Sequence, residues 1–251
     1  MYLKKILITA FEPFGEDIIN PTQKILEALP DVVSAGVSTD AAAGSSMSTV
    51  CVGSAAGQDR SVSTGSAAGQ DRSVQIIKLL LPVSFDSAPK MALEAMEKLH
   101  PHAVISLGLA PGRSAVTPER VAINCMDARI ADNDGSSPCD LPVAEGGPAA
   151  YFSTLPIKRI TEAIAAEGIP SAVSNSAGTY VCNALMYSVL HYASEGHGGS
   201  LSSTASDGKM LCGFIHVPYT IEMGKTPALS LEDEIRAVRT AISVCLDRDN
   251  S

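Results

Sequence analysis

Three residues of the sequence, a cysteine, a histidine and a glutamate, have the chemistry and the surroundings that nucleophilic catalysis requires. Cys182 lies in the segment SAGTYVCN, residues 176–183, where a glycine-containing turn leads directly into an apolar helical pattern. Backbone N–H groups at a helix N-terminus stabilise an anion, so we expect the thiol of Cys182 to have a lowered pKa and to act as a nucleophile. The alternative is a buried structural cysteine, which is the commoner role of a cysteine in an apolar helix.

His216 is the histidine best placed to act as the partner of that thiol. It follows the apolar run 211–215 and precedes Val217-Pro218, which puts it at the carboxyl end of a predicted strand. In open α/β sheets the ligand crevice lies at the carboxyl ends of the strands, so an imidazole there can reach a nucleophile on a neighbouring unit. A backbone carbonyl could instead satisfy this ring in a structural role. The remaining histidines are interpreted as surface or packing residues: His100, His102, His191 and His197.

Glu119 is the carboxylate that could orient the imidazole. It lies in the segment TPER, residues 117–120, at the start of the predicted strand 120–125. A carboxylate fixed there could accept the proton of the imidazole nitrogen that faces away from the sulfur, and so hold the tautomer and support the imidazolium. A salt bridge of Glu119 with Arg120 or Arg129 is the alternative, and spacing alone does not choose between the two.

The elements that must position these residues follow from the hydrophobic pattern. Apolar runs indicate strands, and apolar residues at helical spacing indicate helices. An N-cap with a following proline, Asn20-Pro21, starts the first helix, and Ser230 caps the last one. Strands that alternate with helices predict an α/β fold, a single-domain α/β/α sandwich with a mainly parallel or mixed twisted sheet and helices on both faces. The predicted strands are 4–9, 75–81, 103–107, 120–125, 171–174 and 211–217, and the further helices are 89–99, 157–166 and about 177–194.

Two segments depart in composition from the rest of a chain that we otherwise interpret as one domain, residues 1–251. Between about residues 33 and 74 the sequence is rich in Ser, Ala, Gly and Thr, and the decapeptide GSAAGQDRSV occurs twice. Such a segment has few large apolar side chains to offset the entropy of ordering, so we predict a mobile insertion. Residues 195–209 form a second Gly/Ser-rich stretch, predicted to be a loop.

Composition excludes several classes of partner. Acidic residues outnumber basic ones by 27 to 18 among 251 residues, a formal charge of -9, which disfavours binding to nucleic acid. No apolar run approaches the roughly 20 residues that cross a bilayer, and no signal-peptide pattern is found, so we expect a cytoplasmic protein without a membrane partner. The six cysteines form no CxxC pair and no cluster with histidines at metal-ligand spacing, so we expect free thiols and no metal site.

Common motifs for other chemistries are missing. The loop GLAPGR, residues 108–113, contains glycines but lacks the GxGxxG and GxxxxGK[ST] spacings of nucleotide-binding loops. GxSxG, HExxH and EF-hand patterns are also lacking, which removes the commonest serine hydrolase, zinc and calcium proposals.

Five separate motifs in order along the chain, the second of them in two parts, resemble those of the type I pyroglutamyl peptidases, also called pyrrolidone carboxyl peptidases. The resemblance covers nearly the whole chain apart from residues 33–74 and 195–209. It implies removal of an amino-terminal pyroglutamate from peptides, with the family's Cys, His and Glu at Cys182, His216 and Glu119, and without a metal or organic cofactor. The motifs are FEPFG at 11–15, TPERVAIN at 117–124, DARI at 127–130, GGPAAY at 146–151, SAGTYVCN at 176–183 and GFIHVPY at 213–219.

The resemblance also implies an oxyanion site near Arg129 and the backbone N–H of Cys182, and a small apolar pocket for the lactam ring. One departure from the family affects this pocket: LAPGR stands here where family members usually carry QAGGR, and Pro111 has no N–H and a fixed φ. The implied pocket residues are Phe11, Phe14, Asn20, Leu109, Ile130, Tyr180 and Val181.

Two other functions remain open at this point. One is a non-catalytic homologue that retains the fold for binding, and the other is a nucleoside phosphorylase or hydrolase, suggested only by a general likeness in α/β architecture. The partners that the resemblance implies are peptides with an amino-terminal pyroglutamate. The family is commonly oligomeric, so a homo-oligomer is compatible with the sequence.

Overall fold

The sequence folds into a central sheet with helices on both faces. The computed structural model describes residues 4–15, 17–35, 72–196 and 210–247. The strands are β1 (Lys4–Phe11), β2 (Val32–Ala35), β3 (Arg72–Leu81), β4 (Ala103–Leu109), β5 (Thr117–Pro118), β6 (Val121–Ile123), β7 (Ala150–Phe152), β8 (Leu211–Val217), β9 (Tyr219–Thr220) and β10 (Ala228–Leu229). The helices are α1 (Pro21–Ala28), α2 (Ser87–Leu99), α3 (Ile157–Ala166), α4 (Val181–Ser194) and α5 (Leu231–Leu246), with a short 3-10 helix at Ile221–Met223.

Six of the described strands form the main sheet, in the order β2-β3-β1-β4-β8-β5. The four inner strands run parallel, and the edge strands β2 and β5 are antiparallel to their neighbours. Strands β1, β4 and β8 are almost continuously apolar, as expected for strands that are covered on both faces. The sheet is therefore mixed, with the carboxyl ends of its parallel strands at one edge.

The two faces of the sheet are covered by different helices. Helices α1, α3 and α5 contribute to one apolar cluster, and α2 and α4 to a second. Side chains alternate along β8, so that Ile215 and Val217 join the first cluster while Cys212 and Phe214 join the second. His216 is two residues after Phe214, so its side chain points to the same face of the sheet, toward α4.

Two of the five α-helices in the described ranges start with a side-chain cap, and three, including α4, do not. Asn20 accepts a hydrogen bond from the backbone N–H of Thr22 ahead of α1, and Ser230 accepts one from the N–H of Asp233 ahead of α5. Helix α4 has no side-chain cap, because the residue before it is Tyr180 in an extended conformation. The first amides of α4 are thus left for other partners.

Most predicted elements are confirmed, including the α/β fold class. The predicted strand 171–174 is wrong, because only Ser171 and Ser174 make isolated bridges there, to Val116 and Glu119. The predicted insertion at 33–74 begins and ends inside strands β2 and β3, and its remaining residues 36–71 lie outside the described ranges. Of the predicted loop 195–209, residues 197–209 likewise lie outside them.

A buried carboxyl group in the first turn of α5 makes the stability of the fold depend on pH. The side chain of Glu234 is fully buried, and neither of its oxygens has a hydrogen-bond partner among the described residues. Burial, together with the charges of Glu222 and Asp233, raises the pKa of Glu234 to about 9. The folded chain therefore holds a proton that the unfolded chain releases near its ordinary pKa of about 4.3.

Replacing Glu234 with glutamine is expected to flatten the stability profile on the alkaline side. Stability from this group is full in acid and declines between about pH 4.3 and 9, by up to about 1.4 kcal/mol per pH unit. Urea unfolding of the wild type and the variant across that window measures the difference in slope. The control is Glu232→Gln, which changes an exposed glutamate two residues earlier in the same turn. Parallel profiles for the wild type and Glu234→Gln would contradict the prediction.

Candidate active site

Cys182 is the second residue of α4, at the N-terminal end of this helix. This end lies near the carboxyl ends of the parallel strands. The turn before it is formed by Gly178, whose φ of 80° favours glycine, and by Thr179, whose hydroxyl donates to the carbonyl of Asp127 at 2.8 Å. The neighbouring residue Asn183 is fully buried and bonds the backbone of β6 through both ends of its amide. These contacts fix the start of α4, and with it the position of the sulfur.

The sulfur lies against the carboxyl end of strand β4. A Cβ built on Gly108 would lie 3.1 Å from the Sγ of Cys182 and 2.7 Å from two ring atoms of Phe214. Gly108 is in register with His216 on the adjacent strand β8, and the Phe214 and His216 rings are 4.7 Å apart between centroids. Register partners on neighbouring parallel strands are about 4.8 Å apart and point to the same face. The thiol and the imidazole therefore occupy one crevice, on the α4 side of the sheet.

Glu119 supplies the carboxylate of this crevice. It follows β5, the antiparallel edge strand whose Thr117 is in register with His216. Its side chain is fully buried, and its Oε1 lies 2.7 Å from the Nδ1 of His216. A carboxylate at this distance fixes the proton on Nδ1, which leaves Nε2 as the ring nitrogen available to the sulfur. Of the two alternatives left open by the sequence, the partner of Glu119 is the imidazole, and its ion pair is with neither Arg120 nor Arg129.

Arg113 is the residue of the site that the sequence analysis did not select. Its Nη1 donates to Glu119 Oε1 at 2.7 Å and to the hydroxyl of Thr117 at 2.5 Å, and its Nη2 donates to the carbonyl of Ser176 at 3.4 Å. A tight turn with Pro111 and Gly112 at its centre aims the side chain, closed by the N–H of Arg113 bonding the carbonyl of Ala110. Gly112 has a φ of 83°, and Pro111 occupies a turn position where no N–H is needed.

The predicted lowering of the Cys182 pKa is wrong. Burial, reinforced by the Glu119 carboxylate, raises the pKa of Cys182 to about 12, and this outweighs the opposite effects of Arg113 and of the residue's own N–H. Burial also lowers the pKa of His216, against the raising effect of Glu119. Desolvation disfavours both charged forms, so thiol and imidazole rest as a neutral pair.

Glu119, by contrast, is held ionised. Burial alone would raise its pKa, but hydrogen bonds and charge from His216, with smaller contributions from Ser174 and Arg113, outweigh burial and leave the pKa lowered. Its second oxygen, Oε2, is buried and has no hydrogen bond of normal geometry among the described residues. Oε1 of Glu119 thus accepts hydrogen bonds from both the imidazole of His216 and the guanidinium of Arg113.

Aromatic side chains form a wall beside the start of α4. The ring of Tyr180 lies 5.5 Å from that of Phe14 and 5.1 Å from that of Phe85, measured between centroids. The hydroxyl of Tyr180 donates to the carbonyl of Ala131 at 3.1 Å. Burial, ahead of the charges of Asp132 and Cys182, raises the pKa of Tyr180 to about 12, so the phenol stays neutral. Phe14 and Tyr180 are partly exposed and can contact a ligand, whereas the nearby Phe11 is buried and packs at 6.4 Å from Phe214.

The other predicted pocket residues have different surroundings. Val181 is fully buried in the core, so in this conformation its side chain backs the wall and does not face a ligand. Ile130 and Arg129 are exposed, and Leu109 ends strand β4 in register with Val217. The amide of Asn20 caps α1 and also donates to the carbonyl of Glu12 at 3.0 Å, so its observed contacts hold the loop that carries Phe14.

Replacing Gly108 with alanine is expected to disrupt this crevice. The new methyl group would overlap the buried ring of Phe214 and crowd the sulfur of Cys182. We expect kcat to fall roughly 100-fold because the reacting groups are displaced, and the free energy of unfolding to fall by about 1–3 kcal/mol. Steady-state turnover and urea unfolding measure the two effects.

Gly213→Ala is the matched control for this substitution. Gly213 lies on β8 but faces the opposite helix layer, where a Cβ would meet Ser153 and Leu155. We expect it to lose stability with much less effect on kcat. Equal losses of kcat in the two variants would contradict a specific role of Gly108.

A buried carboxylate, an imidazole and a thiol at the carboxyl edge of an α/β sheet are the groups that a cysteine-dependent hydrolase or acyltransferase uses. Comparison with known proteins identifies the kind: the pattern of the pyroglutamyl peptidase family matches residues 64–248. The chain belongs to this family, and the resemblance inferred from its motifs is confirmed.

Individual relatives support the assignment over nearly the full length. The chain is 40% identical over 244 residues to pyrrolidone-carboxylate peptidase 1 of Caldanaerobacter subterraneus subsp. tengcongensis, covering 96% of this chain and 97% of that protein. The crystal structure of pyroglutamyl peptidase I from Bacillus amyloliquefaciens superposes with a TM-score of 0.74 at 34% identity, covering 99% of both chains. The pyrrolidone carboxyl peptidase of Pyrococcus furiosus gives a TM-score of 0.73 at 36% identity, covering 97% of this chain and 98% of that one.

No helix in the described ranges has both the length and the apolar character needed to cross a bilayer. The cytoplasmic location and the homo-oligomer stay predictions.

Proposed function

We propose that this pyroglutamyl peptidase removes an amino-terminal pyroglutamyl residue from peptides by thioester catalysis, with Cys182 as nucleophile, His216 as acid and base, and Glu119 as the group that orients the imidazole. The observation that carries the proposal is the placement of the three side chains at one crevice. The sulfur lies against Gly108, the register partner of His216, and His216 in turn meets the buried Glu119 at 2.7 Å.

The reaction proceeds in two stages. As the sulfur attacks the carbonyl carbon of the pyroglutamyl residue, Nε2 of His216 takes the thiol proton and then gives it to the departing amine. The carbon–nitrogen bond breaks, and a thioester remains on Cys182. Water then loses a proton to the same imidazole and attacks the thioester; the carbon–sulfur bond breaks, pyroglutamate leaves, and the imidazolium returns the proton to the sulfur. The backbone N–H of Cys182 is proposed to stabilise the oxyanion, and Arg129 remains a candidate for assisting it.

The lactam ring of the substrate is uncharged, and so are the aromatic side chains proposed to bind it. The lactam carries no charge, so flat apolar surfaces and a few hydrogen bonds suffice to bind it, and Phe14 and Tyr180 supply such surfaces. An ordinary amino terminus is a cation, and it would lose its hydration at this wall without gaining a partner. Because the pKa of His216 is lowered, activity is expected to persist until acid conditions protonate the ring.

Two chromogenic amides test the proposed function. A pyroglutamyl amide should release its chromophore, while the prolyl amide, with a charged ring nitrogen in place of the lactam, should react at least roughly 10⁴-fold more slowly. Iodoacetamide should abolish the release and a metal chelator should leave it intact. No release from folded wild-type protein would favour the non-catalytic homologue. The nucleoside phosphorylase alternative is set aside by the family membership.

A further inference from the structure

We infer that Arg113 is a positioning residue for the reaction, which clamps Glu119 and His216 to the segment that leads into Cys182. The inference rests on the proposed roles of those three residues. Arg113 follows the turn at Pro111-Gly112, after the carboxyl end of β4. Its guanidinium donates hydrogen bonds to Thr117, Glu119 and Ser176. No other arginine or lysine among the described residues forms an ion pair with Glu119.

The first two contacts of the clamp act on the imidazole. Arg113 and His216 both bond the same carboxylate oxygen, Oε1 of Glu119, at 2.7 Å. The Nη1 of Arg113 also bonds the hydroxyl of Thr117, which donates to the backbone carbonyl of His216 at 3.4 Å. The guanidinium therefore restrains both the partner of the ring and the backbone that carries the ring.

The third contact reaches toward the nucleophile. The Nη2 of Arg113 donates to the carbonyl of Ser176, which precedes Cys182 by six residues in the turn before α4. A planar guanidinium can hold a carboxylate and a carbonyl in one fixed geometry, whereas an ammonium group cannot. The clamp thus sets the acid–base pair and the start of the nucleophile's helix relative to each other.

Arg113 also affects the charge state of the site. Its positive charge lowers the pKa of Cys182 and that of His216, while the Glu119 carboxylate raises both. The charge of Cys182 in turn contributes, after burial and Asp132, to raising the pKa of Tyr180, so the phenol on this face stays protonated. Removal of the guanidinium charge should therefore move both titrations to higher pH.

Two substitutions separate geometry from charge. Arg113→Met removes both, so kcat should fall roughly 100-fold and the acid limb of the kcat/KM profile should move to higher pH. Arg113→Lys keeps the charge, so it should lower kcat while the acid limb stays near its wild-type position. Guanidinium ion added to Arg113→Met should restore part of the lost rate, which a merely structural role would not produce. Arg120→Met is the control, because Arg120 bonds Asn175 in the same neighbouring segment but not Glu119.

A readout that needs no turnover keeps this inference separate from the proposed function. The pKa of His216, followed by NMR of the full chain labelled in its histidine rings, should rise in Arg113→Met and stay unchanged in Arg120→Met. If wild-type protein cleaves no pyroglutamyl amide, the proposed function fails while this titration still tests the clamp. An unmoved His216 titration, or a wild-type kcat in Arg113→Met, would overturn the inference.

Discussion

Replacing Cys182 with serine is expected to reduce kcat for a pyroglutamyl amide by roughly 10⁴-fold or more. The change preserves the shape of the side chain, but an alcohol is a far weaker acid than a thiol. The imidazole of His216, whose pKa is already lowered by burial, is too weak a base to activate it. Steady-state hydrolysis by the two purified proteins measures the loss.

Cys139→Ser is the matched control for this variant. Cys139 is a free and exposed cysteine outside the crevice, so its replacement should leave kcat unchanged. Together the pair separates loss of the nucleophile from a general effect of removing a thiol. If Cys182→Ser retained more than about a tenth of the wild-type rate, which is a barrier change below about 1.4 kcal/mol, Cys182 would not be the nucleophile.

Replacing Glu119 with glutamine should be the next most damaging change, with a loss in kcat of roughly 10³ to 10⁴. The amide keeps the shape of the side chain but removes the charge that fixes the Nδ1 proton of His216 and supports the imidazolium. It also leaves the partly exposed guanidinium of Arg113 without its carboxylate, and it puts a neutral amide at the fully buried position of Glu119. The kcat/KM profile against pH and the free energy of unfolding should be measured on the same preparation.

An exposed carboxylate provides the comparison for Glu119. Glu94→Gln removes a carboxylate that pairs only with Lys98 on the surface of α2, at 3.9 Å, and should change neither kcat nor stability appreciably. A Glu119→Gln protein that is folded and has a rate within fivefold of the wild type would exclude the orienting role. That outcome would leave the carboxylate with a structural function.

Local sequence patterns were sufficient to predict most of the architecture. Apolar runs and capping residues predicted β1, β4, β8 and α5 because each element's burial is encoded within its own residues. The segment 171–174 was misjudged because its residues make single bridges to Val116 and Glu119, and such pairing depends on distant parts of the chain. The edge strand β2 was missed because it is short and borders the biased segment.

The three side chains of the proposed catalytic trio could be selected from sequence, but their electrostatics could not. The motif around Cys182 correctly indicated a helix start, and the helix terminus alone predicted a lowered thiol pKa. Burial reverses that effect, and burial is a property of the packed crevice. Arg113 escaped selection because its partners Thr117, Glu119 and Ser176 approach it only through the register of β5 with β8 and the turn before α4. The glycine loop in which it lies was considered as a nucleotide-binding loop and as part of the lactam pocket, but not as the source of a site arginine.

The central claim is that the acyl group passes through the sulfur of Cys182. A pyroglutamyl ester with a good leaving group should acylate the enzyme faster than water removes the acyl group, so the intermediate should accumulate. Quenching the reaction in acid and mapping the peptides by mass spectrometry should find one pyroglutamyl group on the peptide that contains Cys182, and none in Cys182→Ser. Product formation with no acylated Cys182 at any quench time, or with the acyl group on another residue, would contradict the account.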